Sequence, residues 1–346
     1  MFRRRFFQHT GLALLASLLR TSMTKAIPVP ASGWLKPARL QEGATIGLIA
    51  PASPASDEKI EKALANLAAL GFRVKAGASL RARTGYLAGP DSVRLADLHQ
   101  AFADPEVDAV WCVRGGYGIT RLLPQVDYHL IRKNPKPFIG YSDVTALHLA
   151  IGLRTGLTTF HGPVGASDFP DNTLAHFKAV LMQPVAPYTI SAPGSQDELP
   201  GEAYRPYTIS AGTAQGALTG GNLSLLSALA GTPFEPSFRD KIVFIEEVGE
   251  QPYRVDRMLT QLLQATDLRQ AAGIALGVFE DCAPKNADFS FSLSETLYDR
   301  LGSLGVPVVY GLPFGHVAHQ ATLPYGVHAA LDADTLTLTL LEKGVQ

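Results

Sequence analysis

Three features of the sequence predict an α/β fold built on a parallel sheet. Short apolar, β-branched runs alternate with helix-patterned segments. Those runs carry almost no polar positions, as strands buried on both faces do. Glycine, serine and histidine gather where the runs end, the edge at which such sheets bind ligands. The chain has 346 residues, 46% hydrophobic and 18% charged, which suits one large or two medium domains and excludes global disorder. Two cysteines exclude a disulfide scaffold or a cysteine-rich zinc module. A net charge of -1 argues against a nucleic-acid binder that works through a general basic field.

The elements follow in order. Residues 1–26 hold five cations and no acid, so the remainder has 25 basic against 31 acidic residues, near −6. Arg3-Arg4-Arg5-Phe6-Phe7-Gln8, a short apolar run from Gly11 to Leu19 and a small-residue region ending at Ala26 read as an export signal of twin-arginine type. Phe2, Gln8 and Arg20 depart from that pattern, and a basic tail on the body is the alternative. The apolar run is too short to span a bilayer, and no other segment approaches a span. Thr45 to Ala50 is a buried strand stopped by Pro51. Ser56 opens a helix whose apolar positions run from Ile60 to Leu70, with Gly71 as its stop. Phe72–Ala76 is strand-like and Asp91–Ala103 helical. Ala109–Val113 is a strand running into Arg114-Gly-Gly-Tyr-Gly118; Pro137–Gly140 runs into Ser142 and a helix to about Thr155; Leu157–Phe160 is a further strand.

Residues 168 to about 215 have weak periodicity and read as an inter-domain connection. Within them Pro187-Tyr-Thr-Ile-Ser-Ala192 recurs as Pro206–Ala211, too short a match for a solenoid. Beyond, Asn222–Leu229 and Val255–Gln264 read as helices. Lys241–Ile245, Ile274–Phe279 and Val308–Tyr310 read as strands. Thr335–Leu340 alternates with period two, which leaves one face of that strand exposed.

Candidate chemistry lies at the strand ends. In Gly140-Tyr-Ser-Asp-Val144, Ser142 sits where a sharp strand-to-helix turn would present its hydroxyl, with free N–H groups of the helix start to bind an oxyanion. Val144 replaces the second glycine of the nucleophile elbow, and Ser is equally a favoured N-cap. Arg114-Gly-Gly-Tyr-Gly118 fits an oxyanion loop, a phosphate cradle lacking the usual Lys-Ser/Thr pair, or a plain turn. Glu246-Glu247 would orient a histidine or a basic substrate group, or be solvated charge at a strand end. His316 lies in a Gly/Pro-shaped loop; a metal pair with His319 is disfavoured by the absence of a Cys/His cluster. Cys112 and Cys282 read as structural thiols.

Together these segments resemble the LD-carboxypeptidase (muramoyltetrapeptide carboxypeptidase) family. The resemblance rests on Gly47–Ser53, Ala103–Asp108, Val113–Gly118, Phe138–Thr145, Phe160–Pro163, Leu218–Ser224, Ile245–Glu250 with Tyr253–Arg257, and Gly311–His316, all in family order. It implies a flavodoxin-like or amidotransferase-like N-terminal domain over 36–170 and, after a connection over 171–210, a swivelling-type α/β C-terminal domain over 211–346. It implies a serine peptidase without cofactor or metal, with Ser142 as nucleophile, Glu246 (or else Glu247) as orienting carboxylate and His316 as base. Backbone N–H groups of Gly116 and Asp143 would form the oxyanion hole. His161 would be structural or substrate-side. Arg114, Glu247, Tyr253 and Arg254 are candidate substrate contacts. The implied partner is a murein tetrapeptide, cut between an L-centre diamino acid and D-alanine; a second copy of the chain is compatible as a partner, nucleic acid is not. Competing readings are a microcin C-type peptidyl-nucleotide peptidase, which would want a lid tryptophan, and a non-catalytic periplasmic binding protein. Family members are often cytoplasmic, whereas the first 26 residues here read as export to the periplasm.

Overall fold

The computed structural model describes residues 33–193 and 202–346, so the expected export signal lies outside the described residues. A first sheet takes β1 (Thr45–Ile49), β2 (Arg73–Ala76), β3 (Ala109–Cys112), β4 (Phe138–Gly140) and β5 (Phe160–His161), all parallel and ordered β5-β4-β3-β1-β2. This is the doubly wound, flavodoxin-like order, whose direction of winding reverses between β1 and β3. Between the strands run α1 (Asp57–Ala69), α2 (Asp91–Ala103), α3 (Tyr128–Lys133) and α4 (Thr145–Thr155). Every residue of β1, β3 and β4 is buried, as the unbroken apolar runs require, and only the edge strand β2 is exposed. Ser56 caps α1, its side chain accepting from Lys59 N–H.

The remaining strands are β6 (Tyr188–Ser191), β7 (Tyr207–Ser210), β8 (Thr213–Asn222), β9 (Lys241–Val248), β10 (Gly273–Glu280), β11 (Val308–Tyr310), β12 (Leu323–Pro324), β13 (His328–Asp332) and β14 (Thr337–Leu340). With the exception of β12 they form an eight-stranded sheet, β6-β14-β13-β8-β9-β10-β11-β7. Its centre, β8 to β11, is parallel and its flanks antiparallel. β14 alternates half-buried and buried positions, as its period-two sequence predicts. Helices α5 (Asp171–Phe177), α6 (Leu223–Leu229), α7 (Pro252–Ala265) and α8 (Leu293–Leu301) complete the chain.

Two features differ from the sequence reading. The stretch read as a connection builds α5 and supplies both outermost strands of the second sheet: the repeated Tyr-Thr-Ile-Ser forms β6 at one edge and β7 at the other. Each copy buries only its isoleucine, Ile190 or Ile209, which is all the apolar signal an edge strand needs. The strand expected at Leu157–Phe160 begins at Phe160; Leu157 forms only an isolated bridge to Leu35.

The two sheets share a seam. β12, from the C-terminal part of the chain, pairs antiparallel with β5 and extends the first sheet. Thr145, at the start of α4, accepts the N–H of Asn222 at the end of β8, 3.1 Å away. A Cβ on Gly221 would lie 2.5 Å from the Thr145 side chain, so a residue without one is needed for this approach.

Candidate active site

The seam brings together three strand ends. Ser142 follows β4 with φ +67°, a left-handed conformation that costs a serine energy and persists only where its surroundings enforce it. It opens a short 3-10 turn (Ser142–Val144) leading into α4; the N-cap position falls to Tyr141, and among the described hydrogen bonds the Ser142 side chain makes none to a helix N–H. The helix-cap reading is therefore not realised. Its Oγ instead lies 3.1 Å from His316 Nε2. A Cβ on Gly115 would stand 2.8 Å from Ser142 Cβ, so the loop after β3 lies directly against the elbow because it has none.

His316 Nδ1 lies 2.7 Å from Glu246 Oε2. Glu246 and Glu247 are adjacent on β9, so their side chains leave opposite faces. Both are buried. Glu247 accepts from Asn222 Nδ2, from the Ser224 N–H and hydroxyl, and from Val248 N–H at 2.7–2.9 Å. It is thus committed to the start of α6 and has no oxygen free for substrate; the candidate contact at Glu247 is corrected on that ground. Burial raises its pKa, and these hydrogen bonds oppose the rise.

His316 is half-buried. Burial disfavours its charged form, but the Glu246 carboxylate beside it outweighs burial and raises its pKa above the ordinary 6.5. Its loop is held from several sides. Gln320 Nε2 donates to Gly315 O at 2.6 Å, and Thr173 on α5 accepts from Gln320 N–H and donates to Ala318 O, each at 2.8 Å. Tyr141 packs edge-on against the imidazole at 4.8 Å between ring centres. The sequence reading missed Tyr141, Thr173 and Gln320. Pro170-Asp171, a helix-start pair, was the available signal for α5; nothing local marks Gln320.

His161 is fully buried, with neither ring nitrogen hydrogen-bonded, and burial holds its pKa well below 6.5. A neutral, enclosed imidazole with no hydrogen-bond partner among the described residues is not linked to the Ser142–His316–Glu246 chain. Asp143, next to the serine, is buried and accepts from Ile119 N–H at 2.9 Å; burial pushes its carboxyl up to about 6. Its N–H belongs to the first turn of a helical segment, where backbone donors have no intrahelical acceptor. Gly116 is exposed at the crest of the neighbouring loop. Arg114 is half-buried at its base, donating to Gly115 O and Pro54 O. Tyr253 and Arg254 stand exposed in the first turn of α7 and bond each other; among the described residues no hydrogen bond joins them to the Ser142–His316–Glu246 chain. Cys112 and Cys282 are buried thiols with raised pKa, consistent with structural roles. Among the described residues no group of three or more His, Cys, Asp or Glu is placed to hold a metal, and no helix is long and apolar enough to cross a membrane.

The family models described as the LD-carboxypeptidase N-terminal and C-terminal domains match residues 46–162 and 215–331. The chain belongs to the LD-carboxypeptidase family. Membership makes it a serine-type carboxypeptidase, a hydrolase. A Bacillus subtilis protein named "Probable murein peptide carboxypeptidase" is 43% identical over 315 residues, 90% of this chain and 95% of that one. The murein tetrapeptide carboxypeptidase of Pseudomonas aeruginosa is 36% identical over 296 residues, 84% of this LD-carboxypeptidase and 94% of its own length. Among solved structures, the muramoyltetrapeptide carboxypeptidase of Oxalobacter formigenes superposes with TM-score 0.74 at 30% identity, covering 87% and 99% of the two chains. The microcin C7 self immunity protein MccF superposes with TM-score 0.80 at 28% identity, covering 90% and 100%.

Proposed function

We propose that this LD-carboxypeptidase removes the terminal D-alanine from murein tetrapeptide stems, with Ser142, His316 and Glu246 as its catalytic residues. The observation that supports this reading is the continuous chain Ser142 Oγ–His316 Nε2–Glu246 at 3.1 and 2.7 Å. In the reaction His316 Nε2 takes the hydroxyl proton as Ser142 Oγ attacks the carbonyl preceding D-alanine. Glu246 keeps the proton on Nδ1, which leaves Nε2 free as the base, and balances the imidazolium that forms. The tetrahedral oxyanion is received by the N–H groups of Asp143 and Gly116. His316 then returns its proton to the amine of the departing D-alanine. Water, activated by the same imidazole, releases the shortened peptide from Ser142. The step needs no metal. Arg114 is the favoured contact for the substrate's terminal carboxylate, since it stands half-buried beside the elbow, whereas Arg254 is exposed on α7 and paired with Glu250. Purified enzyme should release D-alanine from a tetrapeptide stem, and Ser142→Ala should release at least about 10⁴-fold less; equal release by the variant rejects the mechanism.

A second reading, cleavage of an aminoacyl-nucleotide, is favoured by the fit to MccF, a protein solved in complex with glutamyl sulfamoyl guanosine. Neither tryptophan here is free to stack on a base. Trp111 is buried against Phe177 at 4.9 Å, and Trp34 packs over Gly326 and Gly152. The ratio of kcat/KM on tetrapeptide and on an aminoacyl sulfamoyl nucleoside separates the two. We also infer export by the twin-arginine route, supported by Arg3-Arg4 and the apolar run after them. A reporter fused to residues 1–30 should leave the cytoplasm, and replacing Arg3 and Arg4 by Lys should stop it.

A further inference from the structure

The proposed oxyanion donors sit on different loops: Asp143 N–H on the elbow after β4, Gly116 N–H on the loop after β3. Both must converge on one oxygen, and a misplacement of about 1 Å in such a site can cost about 10²-fold in rate. The glycine loop is gripped at three successive residues. Ser53 Oγ accepts from Tyr117 N–H at 3.1 Å. Arg94 Nη1 donates to Gly118 O at 3.1 Å and to Pro51 O at 2.6 Å. Asp143 Oδ2 accepts from Ile119 N–H at 2.9 Å. The first two tie the loop after β3 to the loop after β1, across the reversal of the sheet. Among the described hydrogen bonds, only the third ties residues 114–119 to the elbow at 141–144.

From this geometry we infer that the Asp143 side chain is a positioning residue: it sets the distance between its own N–H and that of Gly116, and so shapes the oxyanion hole. The inference rests on the peptidase reading above. A buried carboxylate is costly unless its charge and lone pairs are met. Although burial still holds the carboxyl above its usual range, part of that cost is offset by Arg94. It is fully buried on α2, close enough to stabilise the Asp143 charge, and its Nη2 is held 2.5 Å from Asp91 Oδ1. Asp91 in turn is held by Arg121 at the surface. The fold thus devotes a buried arginine and two aspartates to holding a loop whose Gly116 offers the reaction only its backbone N–H. A plain turn, or a serine held by its elbow alone, would need none of them.

The test uses the full chain with Asp143→Ala and Asp143→Asn. Asparagine is nearly isosteric, and its amide oxygen can still accept from Ile119 N–H. Asp143→Ala should lower kcat on tetrapeptide by about 10²-fold or more, the scale of losing an oxyanion donor, with KM within about three-fold. Asp143→Asn should recover about ten-fold of that loss. Amide hydrogen exchange at Ile119 should quicken strongly in the alanine variant and modestly in the asparagine variant. Unchanged exchange in Asp143→Ala, or faster exchange with unchanged kcat, overturns the inference. Should the alanine variant not fold, an asparagine variant identical to wild type in both exchange and kcat overturns it as well. A wild-type enzyme that releases no D-alanine sinks the peptidase reading instead, while exchange at Ile119 still reports whether the tie exists.

Discussion

The two halves of the candidate site are held in place by different means. Ser142 is set by its own chain: a strand of three buried residues, a left-handed turn, and a helix directly behind it. His316 sits on a loop that would have many conformations alone. It is fixed by Gln320, by Thr173 from α5, by Glu246 from β9 and by Tyr141 from the first sheet. The nucleophile is thus held by backbone geometry and the base by side chains drawn from distant parts of the sequence. A site divided this way tolerates change around its nucleophile poorly in sequence, and around its base poorly in space.

Removing the carboxylate partner of the base tests that division most severely. Glu246→Gln should lower kcat by about 10³- to 10⁴-fold, since the imidazole loses both its tautomer and its countercharge. The pH profile gives the sign. The base must be neutral, so kcat/KM rises with pH through the His316 pKa, above 6.5 in the wild type. In Glu246→Gln the nearest raising charge is gone and burial is opposed only by the Glu247 and Glu280 charges, so the acid limb of the residual activity should move to lower pH. An unmoved limb detaches Glu246 from His316.

A smaller effect is expected from the loop's supports. Gln320→Ala should lower kcat by about ten-fold, through misplacement of His316, with reactivity of Ser142 toward a small phosphonylating reagent reduced in parallel. If kcat stays at the wild-type value, the histidine loop holds itself and the contrast drawn above collapses. The smallest effect on catalysis belongs to the other glutamate. Glu247→Gln should destabilise the fold by about 1–3 kcal/mol, because a buried acceptor of four donors is weakened and one amide group is left without a partner. The same variant should keep kcat/KM within about three-fold. Thermal melting and kinetics on one preparation read both.

Much of the fold was legible in the sequence. The buried strands β1, β3, β9 and β10 announce themselves as uninterrupted apolar runs, and Ser56 and Gly71 mark the ends of α1. What escaped is the stretch from 171 to 210. α5 has only seven residues, and β6 and β7 bury one residue each, too few for periodicity to register. The pair at 246–247 shows the same limit at the site. Both residues end an apolar strand, and alternation along β9 says only that they face opposite ways. Which face meets His316 and which meets α6 is decided by β8, β10 and the loop after β11. Thr173 and Gln320 carry no motif, and the run around Tyr141 does not announce its contact with His316, because these roles rest on contacts between residues 147 to 175 positions apart in the chain.

By itself the sequence determined the parallel strands of the first sheet and of the centre of the second, the elbow at Ser142, the glycine loop beside it and the family to which the chain belongs. These depend on local backbone preference and on runs of side chains that must be buried, and both are written in consecutive residues. Only the tertiary structure decided that Glu246 and not Glu247 faces the imidazole, that Ser142 does not cap its helix, and that Asp143 and Arg94 tie the glycine loop to the elbow. Those outcomes turn on distances of about 3 Å between groups on separate strands, loops and helices, and no interval along the chain encodes a distance across it.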